Sequence, residues 1–349
     1  VIARARTPSV AANMASFGTD HIINPFARFA EYLGLAVASP ERFRLIEMLT
    51  GLPETPLPEP HRPPAGRWIL CGYGRFGHLL ATHLQPAGID LTIIDPGCTD
   101  CVSPPTIRGN GTEAVTLLQA GIEGASGIIA GSDNDVNNLS IAMTASELKP
   151  SLFVVTRQNH SVNNPLFAAY NADFTMVPGR IVAQECIAIL TTPLLAAFLD
   201  LLRERDETWS GALVVRLQAL CDGRTPALWA VKLNIAGAQG AYRALMQGQR
   251  IALGDILRDG TDRSQALPAA TLLIRRGKEL ILLPPDEFLL AAGDELLLAS
   301  SLPARRNLEL TLHNPNELDY VLTGSEVSGS WLWERFMRSG RPGAPAGEP

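Results

Sequence analysis

The sequence predicts an α/β protein: a doubly wound parallel sheet with a small α+β domain behind it. Three observations carry this. From residue 67 to residue 157, short apolar runs alternate with amphipathic stretches, the pattern of parallel strands joined by helices. The first run, Trp68-Ile-Leu-Cys71, leads straight into Gly72-x-Gly74-x-x-Gly77, and Asp95 closes the next run 18 residues after Gly77. Beyond residue 211 the pattern shortens to strand-sized runs, as in a separate α+β module. Glycine loop, following helix and acidic strand end together make the sheet Rossmann-like.

In chain order, residues 1–50 are explained by a repeat. Laid over residues 154 onward at a constant offset of 153, Val1, Arg4, Ala15, Asp20, Pro25 and Ala30 meet identical residues. Met14/Phe167, Phe17/Tyr170 and Ile23/Met176 are conservative pairs. The segment is therefore expected to be the C-terminal part of a first Rossmann unit, with Val1 inside a strand and the unit's own glycine loop upstream. LPETPLPEPHRPPAG (52–66) holds six prolines and reads as a stiff linker.

The second unit, 67–205, follows as strand RWILCG, helix RFGHLLATHLQPAG, strand IDLTIIDP, helix EAVTLLQAGI, strand SGIIAGS, helix DVNNLSIAMTASEL and strand SLFVVTR. CIAILTTPLLAAFLDLL (186–202) is too short for a membrane span, contains Pro193, and reads as a buried or interface helix. RERDETWSG (203–211) is a polar break. GALVVRLQAL, ALWAVKLNI, TLLIRRGKELILLP and DELLLAS read as strands of a domain over 206–302, followed by an extension (303–338) and a disordered tail (339–349).

Composition narrows the function. A net charge of -6 on 349 residues lacks the basic face of a nucleic-acid binder. No apolar run reaches the ~20 residues of a membrane span. Five scattered cysteines suit a reducing cytosol better than a disulfide framework. Val1 in place of Met, with no secretory leader, points to a fragment of a longer protein.

The glycine loop explains itself chemically. Gly72 and Gly74 permit a tight turn and close approach of a pyrophosphate, and Gly77 lets the helix pack on the sheet. The helix start offers free N–H groups and partial positive charge. Asp95 can accept from ribose hydroxyls and repels a 2′-phosphate, favouring NAD or adenosine nucleotides over NADP. RGNGTE (108–113) and GSDNDVNN (131–138) follow the next strands, where further ligand contacts fall. Ser132 and Asp133 either face the ligand or cap the next helix; Arg157 either reaches a phosphate or sits in a surface salt bridge. No Ser/His/Asp group, Y-x-x-x-K or H-E-x-x-H occurs, and residues 161–312 lack histidine, so the ligand reads as a signal more than a reactant. Cys98-x-x-Cys101 has no second pair to make a zinc site, and GSDND lacks the spacing of a full calcium loop, so a divalent cation is an unsupported option.

Together, WILCGYGRFGHLLATHL…LTIIDP, RGNGTEAVTLLQAGIEGASGIIAGSDNDVNNL, FVVTRQNH…ADFTMVP and RIALGDIL…LPAATLLIRRGKELILLPPDEFLLAAGDELLLAS resemble the RCK (regulator of potassium conductance), or TrkA N- and C-domain, family. The resemblance covers about 1–50 and 67–302. It implies that Gly72, Gly74, Arg75, Phe76 and Gly77 hold phosphates, that Asp95 holds the adenosine ribose, and that Asn110, Ser132, Asp133 and Arg157 complete the pocket. The family usually has Gly-Asp after the third strand, where this chain has Gly109-Asn110.

The resemblance further implies a regulatory ligand, NAD(H) or AMP, ADP or ATP, and no catalysis. It implies a homo-oligomer of four chains forming a ring of RCK units, at the cytoplasmic face of the inner membrane, acting on a pore upstream in the same polypeptide. The short spacing before Arg67 leaves no small domain after the first copy, which favours a tandem-RCK potassium channel. The alternatives are a potassium uptake transporter or a cation/proton antiporter, and less so an NAD-dependent oxidoreductase. The helices near 26–36 and 181–202 are expected to cross onto a partner Rossmann unit. The segment 317–336, with Trp331, Trp333 and Phe336, is expected to add a flexible contact surface.

Overall fold

A computed structural model describes residues 1–5, 7–57, 62–97 and 104–325. Cys98 and Cys101, the Trp331–Phe336 aromatics, part of the proline-rich segment and the tail lie outside the described residues. The chain divides into two compact units, Val1–Gly51 with Leu57–Arg216, and Leu52–Pro56 with the described residues from Leu217 onward.

The first unit opens with β1 (Ile2–Arg4), α1 (Pro8–Ser16), β2 (His21–Ile23), α2 (Pro25–Ala38) and α3 (Pro40–Thr50). Then come β3 (Gly66–Cys71), α4 (Arg75–Leu84), β4 (Ile89–Ile94), β5 (Thr106–Ile107), α5 (Ala114–Gln119), β6 (Gly127–Ala130), α6 (Asp135–Leu148), β7 (Phe153–Arg157), α7 (Asn164–Tyr170) and β8 (Phe174–Met176). α8 (Pro178–Thr191), α9 (Pro193–Leu202) and the start of α10 (Glu207–Leu220) follow. β3 to β8 form one sheet in the order β5-β4-β3-β6-β7-β8, with every neighbouring pair parallel.

The repeat is exact in register. β1 pairs β2 through Ile2↔His21, Ala3↔Ile22 and Arg4↔Ile23, and β7 pairs β8 through Val155↔Phe174, Thr156↔Thr175 and Arg157↔Met176, each the same pair moved by 153. The shared aspartate has a structural task. Asp173 accepts from the Val154 N–H at 2.7 Å, and Asp20 takes the Val1 nitrogen in the same way. The correspondence runs on to Ser39 and Thr192, which share one backbone conformation (φ −148°, ψ 69° and φ −144°, ψ 72°) before Pro40 and Pro193. Each proline starts a new helix, since its missing N–H costs nothing at the first position. The apolar stretch 186–202, expected as one helix, is therefore parts of two, α8 and α9.

β3 is buried on both faces, as a central parallel strand must be. Trp68 and Leu70 face one side and Ile69 and Cys71 the other. α5, α6 and Tyr170 of α7 cover the second side through Leu117, Ile141, Ala142 and Ala145. Right-handed crossovers put only α4 on the first side, over β3 and β4. The rest of that face, Ile129, Val155 and Met176 of β6 to β8, shares one core with Phe26, Phe29, Ala30 and Leu33 of α2. Thus the helix from the first repeat covers the half-face that the second repeat leaves bare. Each large side chain so buried contributes about 1.5–3 kcal/mol. α2 also meets α8 through Arg28 and Glu185, 2.9 Å apart.

The stretch 211–220, expected as a strand, is the C-terminal part of α10. A strand would put Leu213, Val215 and Leu217 on one face, but Val215 is 66% exposed while Leu213, Val214 and Leu217 are buried, the helical period. Ten residues rich in Leu and Val satisfy either period loosely, so the local pattern does not separate the two.

The second unit contains β9 (Ala227–Lys232), α11 (Gln239–Met246), α12 (Leu253–Ile256), β10 (Ala269–Arg276), β11 (Glu279–Leu282), β12 (Glu295–Ser300), α13 (Leu302–His313) and α14 (Pro315–Thr323). Its sheet is antiparallel, in the order β11-β10-β12-β9. Leu308 and Leu312 of α13 and Leu318 and Val321 of α14 are buried in the same core as Val231, Ile274 and Leu296. The described part of the C-terminal extension is therefore integral to this unit's core and not a loose appendage. Thr55 and Thr225 exchange hydrogen bonds, so part of the proline-rich segment is folded here.

Candidate functional site

The strand order turns back between β3 and β6, so the connections leaving their carboxyl ends diverge and open a crevice. A cavity of about 570 Å³ occupies it. Its wall takes Gly72, Gly74, Arg75 and Phe76 from the loop and start of α4, and Asp95 from the end of β4. Asn110 follows β5, Ser132 and Asp133 follow β6, and Arg157 ends β7. Nine of the ten residues singled out in the sequence thus line one cavity.

Gly77 is the exception. It lies beneath the loop, where a Cβ would stand 2.2 Å from the Gly72 carbonyl oxygen. Its task is the close approach of α4 to the loop, not contact with a phosphate. Gly72 has φ +96° and also needs to be glycine. Gly74 caps α4 with no side-chain hydrogen bond, so the first N–H groups of the helix remain open toward the cavity.

Asp95 shapes the loop as well as facing the cavity. Its carboxylate accepts from the Tyr73 N–H at 2.7 Å and the Gly97 N–H at 2.8 Å. Each oxygen keeps a further lone pair for a hydroxyl donor. Asn110 donates to Glu113 at 3.3 Å, so this position is neutral and tied to its own loop.

Ser132 and Asp133 are not the cap of α6. Asn134 is, accepting from the Asn137 N–H at 3.1 Å. Asn137 and the reach of Asn138 set the loop instead. Buried Asn138 accepts from the Ser132 N–H (2.9 Å) and hydroxyl (2.7 Å) and donates to the Ser132 and Arg157 carbonyls (3.0 and 2.7 Å). One amide therefore fixes the ends of β6 and β7 against each other, below the two residues that face the cavity.

Asp135, next to it, holds the loop after β7. It accepts from the Asn159 and His160 N–H groups at 2.6 and 3.0 Å and from the Asn159 and Asn163 amides at 2.9 and 2.7 Å. Burial works to raise its pKa, but these donors outweigh burial and hold it below the ordinary aspartate value. A depressed folded-state value stabilises above the unfolded aspartate pKa of about 3.9 and is lost as pH falls through the folded one. Asp135→Asn is accordingly expected to lower stability at pH 7 by about 1–3 kcal/mol. It should also flatten the loss of stability below about pH 4, as urea unfolding at a series of pH values would show.

Arg157 makes no salt bridge within 4 Å among the described residues, which sets aside the surface-pair reading. Its guanidinium carbon lies 4.6 Å from the Phe26 ring centre and 5.4 Å from that of Phe76. One nitrogen donates to the Gly131 carbonyl at 3.3 Å, and buried Nε has no acceptor. Burial pulls its pKa below the ordinary arginine value, with Asp133 and Asp135 pulling the other way. A second cation, Arg75, stands exposed at the first turn of α4. Arg75 and Arg157, near enough to act on each other's charge, and the open N–H groups at the start of α4 line the same cavity as the carboxylates of Asp95 and Asp133. That combination suits a ligand with both phosphate and hydroxyl groups.

Gly109, Gly111, Thr112 and Asn137 of the wall fall inside the two segments expected to add ligand contacts, while Phe26 and Cys71 were not expected there. The glycines around Asn110 were visible as a loop. Phe26 gave no signal, because it belongs to the other repeat. Burial pushes the Cys71 thiol up to about 12, so it is not a thiolate at neutral pH. Among the described residues no three His, Cys, Asp or Glu side chains converge as a metal site, and no helix is long and apolar enough to cross a membrane.

Residues 68–178 match the TrkA-N domain. The chain is 26% identical over 147 residues to Potassium channel protein 1 of Methanocaldococcus jannaschii, covering 40% of this chain and 44% of that protein. It is 28% identical over 134 residues to a Trk system potassium uptake protein TrkA homolog of Methanothermobacter thermautotrophicus, covering 37% of this chain and 62% of that protein. The chain therefore spans less than two thirds of either relative. Among solved structures it is similar to the GsuK RCK domain, with TM-score 0.45 and 18% identity over 89% of this chain and 74% of that one.

Proposed function

We propose that this chain, which carries a TrkA-N domain over residues 68–178, is the nucleotide-sensing regulatory region of a potassium transport system. The observation that carries the reading is the cavity itself, whose wall combines a helix start with no side-chain cap, Arg75 and Arg157, and a hydroxyl-accepting Asp95. In this reading the occupant is a signal, bound and released intact. Adenine nucleotides or NAD(H) fit this combination, and Asp95 disfavours a 2′-phosphate.

In this reading residues 1–50 complete a first RCK unit, 67–205 form the second, and 206–302 form its small domain. Four chains assemble as a ring at the cytoplasmic face of the membrane, and nucleotide binding changes the set of paired units to gate a pore carried by the same polypeptide. The resemblance to a potassium channel protein supports a channel; that to TrkA homologs supports the transporter alternative.

A thermal-shift series tests the site. NAD or ADP at about 100 times its Kd should add about 2.7 kcal/mol to the unit that binds it, a rise in Tm of several degrees, and NADP should add less. If no adenine nucleotide raises Tm, the sensing reading is wrong. If NADP matches NAD, the role given to Asp95 is wrong. Nucleotide-dependent potassium flux in vesicles holding the full-length protein separates a channel from a carrier by its rate.

A further inference from the structure

We propose that Phe26, from the first repeat, is a ligand-binding residue of the cleft in the second repeat, and that it ties nucleotide occupancy to the seating of α2. The inference rests on the reading of the cleft as a nucleotide site. Phe26 lies on the cavity wall, packs on Phe76 with ring centres 5.4 Å apart, and faces the Arg157 guanidinium at 4.6 Å. The cation thus lies against both adjoining aromatic rings, with no carboxylate within 4 Å among the described residues and an unpartnered buried Nε. That arrangement keeps the charge in place on the cavity wall; because Nε is sealed from solvent, the donors for an incoming phosphate oxygen are the outer guanidinium N–H groups.

The helix does not need an aromatic residue there. At the same register of the second repeat, one residue after the starting proline of α8, stands Gly179, with open space around it. The two helices begin alike and have the same length, so Phe26 is dispensable for starting the helix and is explained by what it touches. Phe29, Ala30 and Leu33 continue the same helix face into the core with Leu80 and Leu84 of α4. The α4 end that faces the ligand and the surface that seats α2 therefore share Phe76 and Phe26.

Two consequences follow. A nucleotide phosphate paired with Arg157 relies on Phe26 to hold the guanidinium in position. By reciprocity, a ligand that binds better when α2 is seated must make α2 harder to displace. The first repeat is then informed of occupancy through its own helix.

The experiment uses the whole 349-residue chain. Calorimetric titration with ADP and with NAD is run on the wild type, Phe26→Leu, Phe26→Tyr, Arg157→Gln and the Phe26→Leu/Arg157→Gln pair. Amide exchange of residues 26–38 is followed with and without ADP. Phe26→Leu is expected to weaken binding about five- to tenfold and Phe26→Tyr much less, since the aromatic face survives. The double variant should bind no worse than Arg157→Gln alone, and ADP should slow exchange in α2 of the wild type but not of Phe26→Leu. Equal affinities for wild type and Phe26→Leu, or additive losses in the double variant, overturn the proposal. So does ADP binding that leaves α2 exchange unchanged. If the wild type binds neither nucleotide, the sensing reading itself fails, and this inference with it.

Discussion

Gly77→Ala is expected to abolish tight nucleotide binding while leaving the first unit folded. The new Cβ would stand 2.2 Å from the Gly72 carbonyl oxygen and 3.1 Å from its carbon, a backbone neighbour that cannot rotate away. Either α4 retreats from the loop or the loop is pushed toward Ser132. Overpacking of this kind costs about 1–3 kcal/mol of stability. The effect on binding is larger, because the open N–H groups at the start of α4 and the loop must meet one phosphate together. A loss of at least about tenfold in affinity, roughly 1.4 kcal/mol, is the expected floor. Calorimetry with ADP and urea unfolding of the same sample separate the two effects. Wild-type affinity in Gly77→Ala would show that the loop adapts and that close packing is not what the third glycine supplies. Gly179→Ala is the matching control, since nothing lies within 4 Å of a Cβ there and the residue is outside the cavity wall.

Arg276→Leu is expected to destabilise the second unit strongly. Asp294 is 1% exposed and sits in the turn before β12. Its carboxylate takes two guanidinium bonds from Arg276, at 2.8 and 2.6 Å, and the Ala291 N–H at 2.8 Å. Arg276 also donates to the Leu289 carbonyl at 2.8 Å and lies 4.8 Å from the Phe288 ring centre. Removing the arginine strands a buried carboxylate, which for a fully buried pair costs about 3–5 kcal/mol. Arg276 is itself partly solvated, so the lower end, about 3 kcal/mol, is the expected loss. Asp294→Asn should lose less than Arg276→Leu, since it leaves no stranded charge. Chemical denaturation of both variants orders them, and a loss under about 1 kcal/mol for Arg276→Leu would place the pair among ordinary surface bridges.

Much of this protein was legible without coordinates, for reasons that are local. The step from Cys71 to Arg75 is written in residues that only a sharp turn requires, and α6 runs from Asp135 to Leu148 as its periodicity indicates. Parallel β-α units place the next loops at the same sheet edge, so the segments holding Asp95, Asn110, Ser132, Asp133 and Arg157 could be assigned to one crevice by topology, and the resemblance picked out the residues. The repeat at offset 153 was visible too, because a duplicated unit keeps its apolar spacing along with Asp20/Asp173 and Pro25/Pro178.

The misreadings share a different cause. The residues 211–220 carry enough Leu and Val to suit either period, and only burial reveals that Val215 points away from Leu213 and Leu217. The role of Ser132 turned on Asn138, whose side chain reaches back six residues to it and across to the end of β7. Gly77, given a packing role by the motif's chemistry and a phosphate role by the resemblance, does the former: in space the first and third glycines touch each other.

The sequence by itself determined the alternation of strands and helices, the glycine turn, the acid at the end of β4 and the duplication, since each depends on neighbours along the chain. Tertiary structure alone decided that α2 of the first repeat covers the half-face left bare by the second, bringing Phe26 against Arg157 and Phe76. Such a contact leaves no periodic trace, because it depends on which surface is free after the sheet has wound. Burial of apolar area drives α2 there without direction, and the shape of the remaining gap selects the partner.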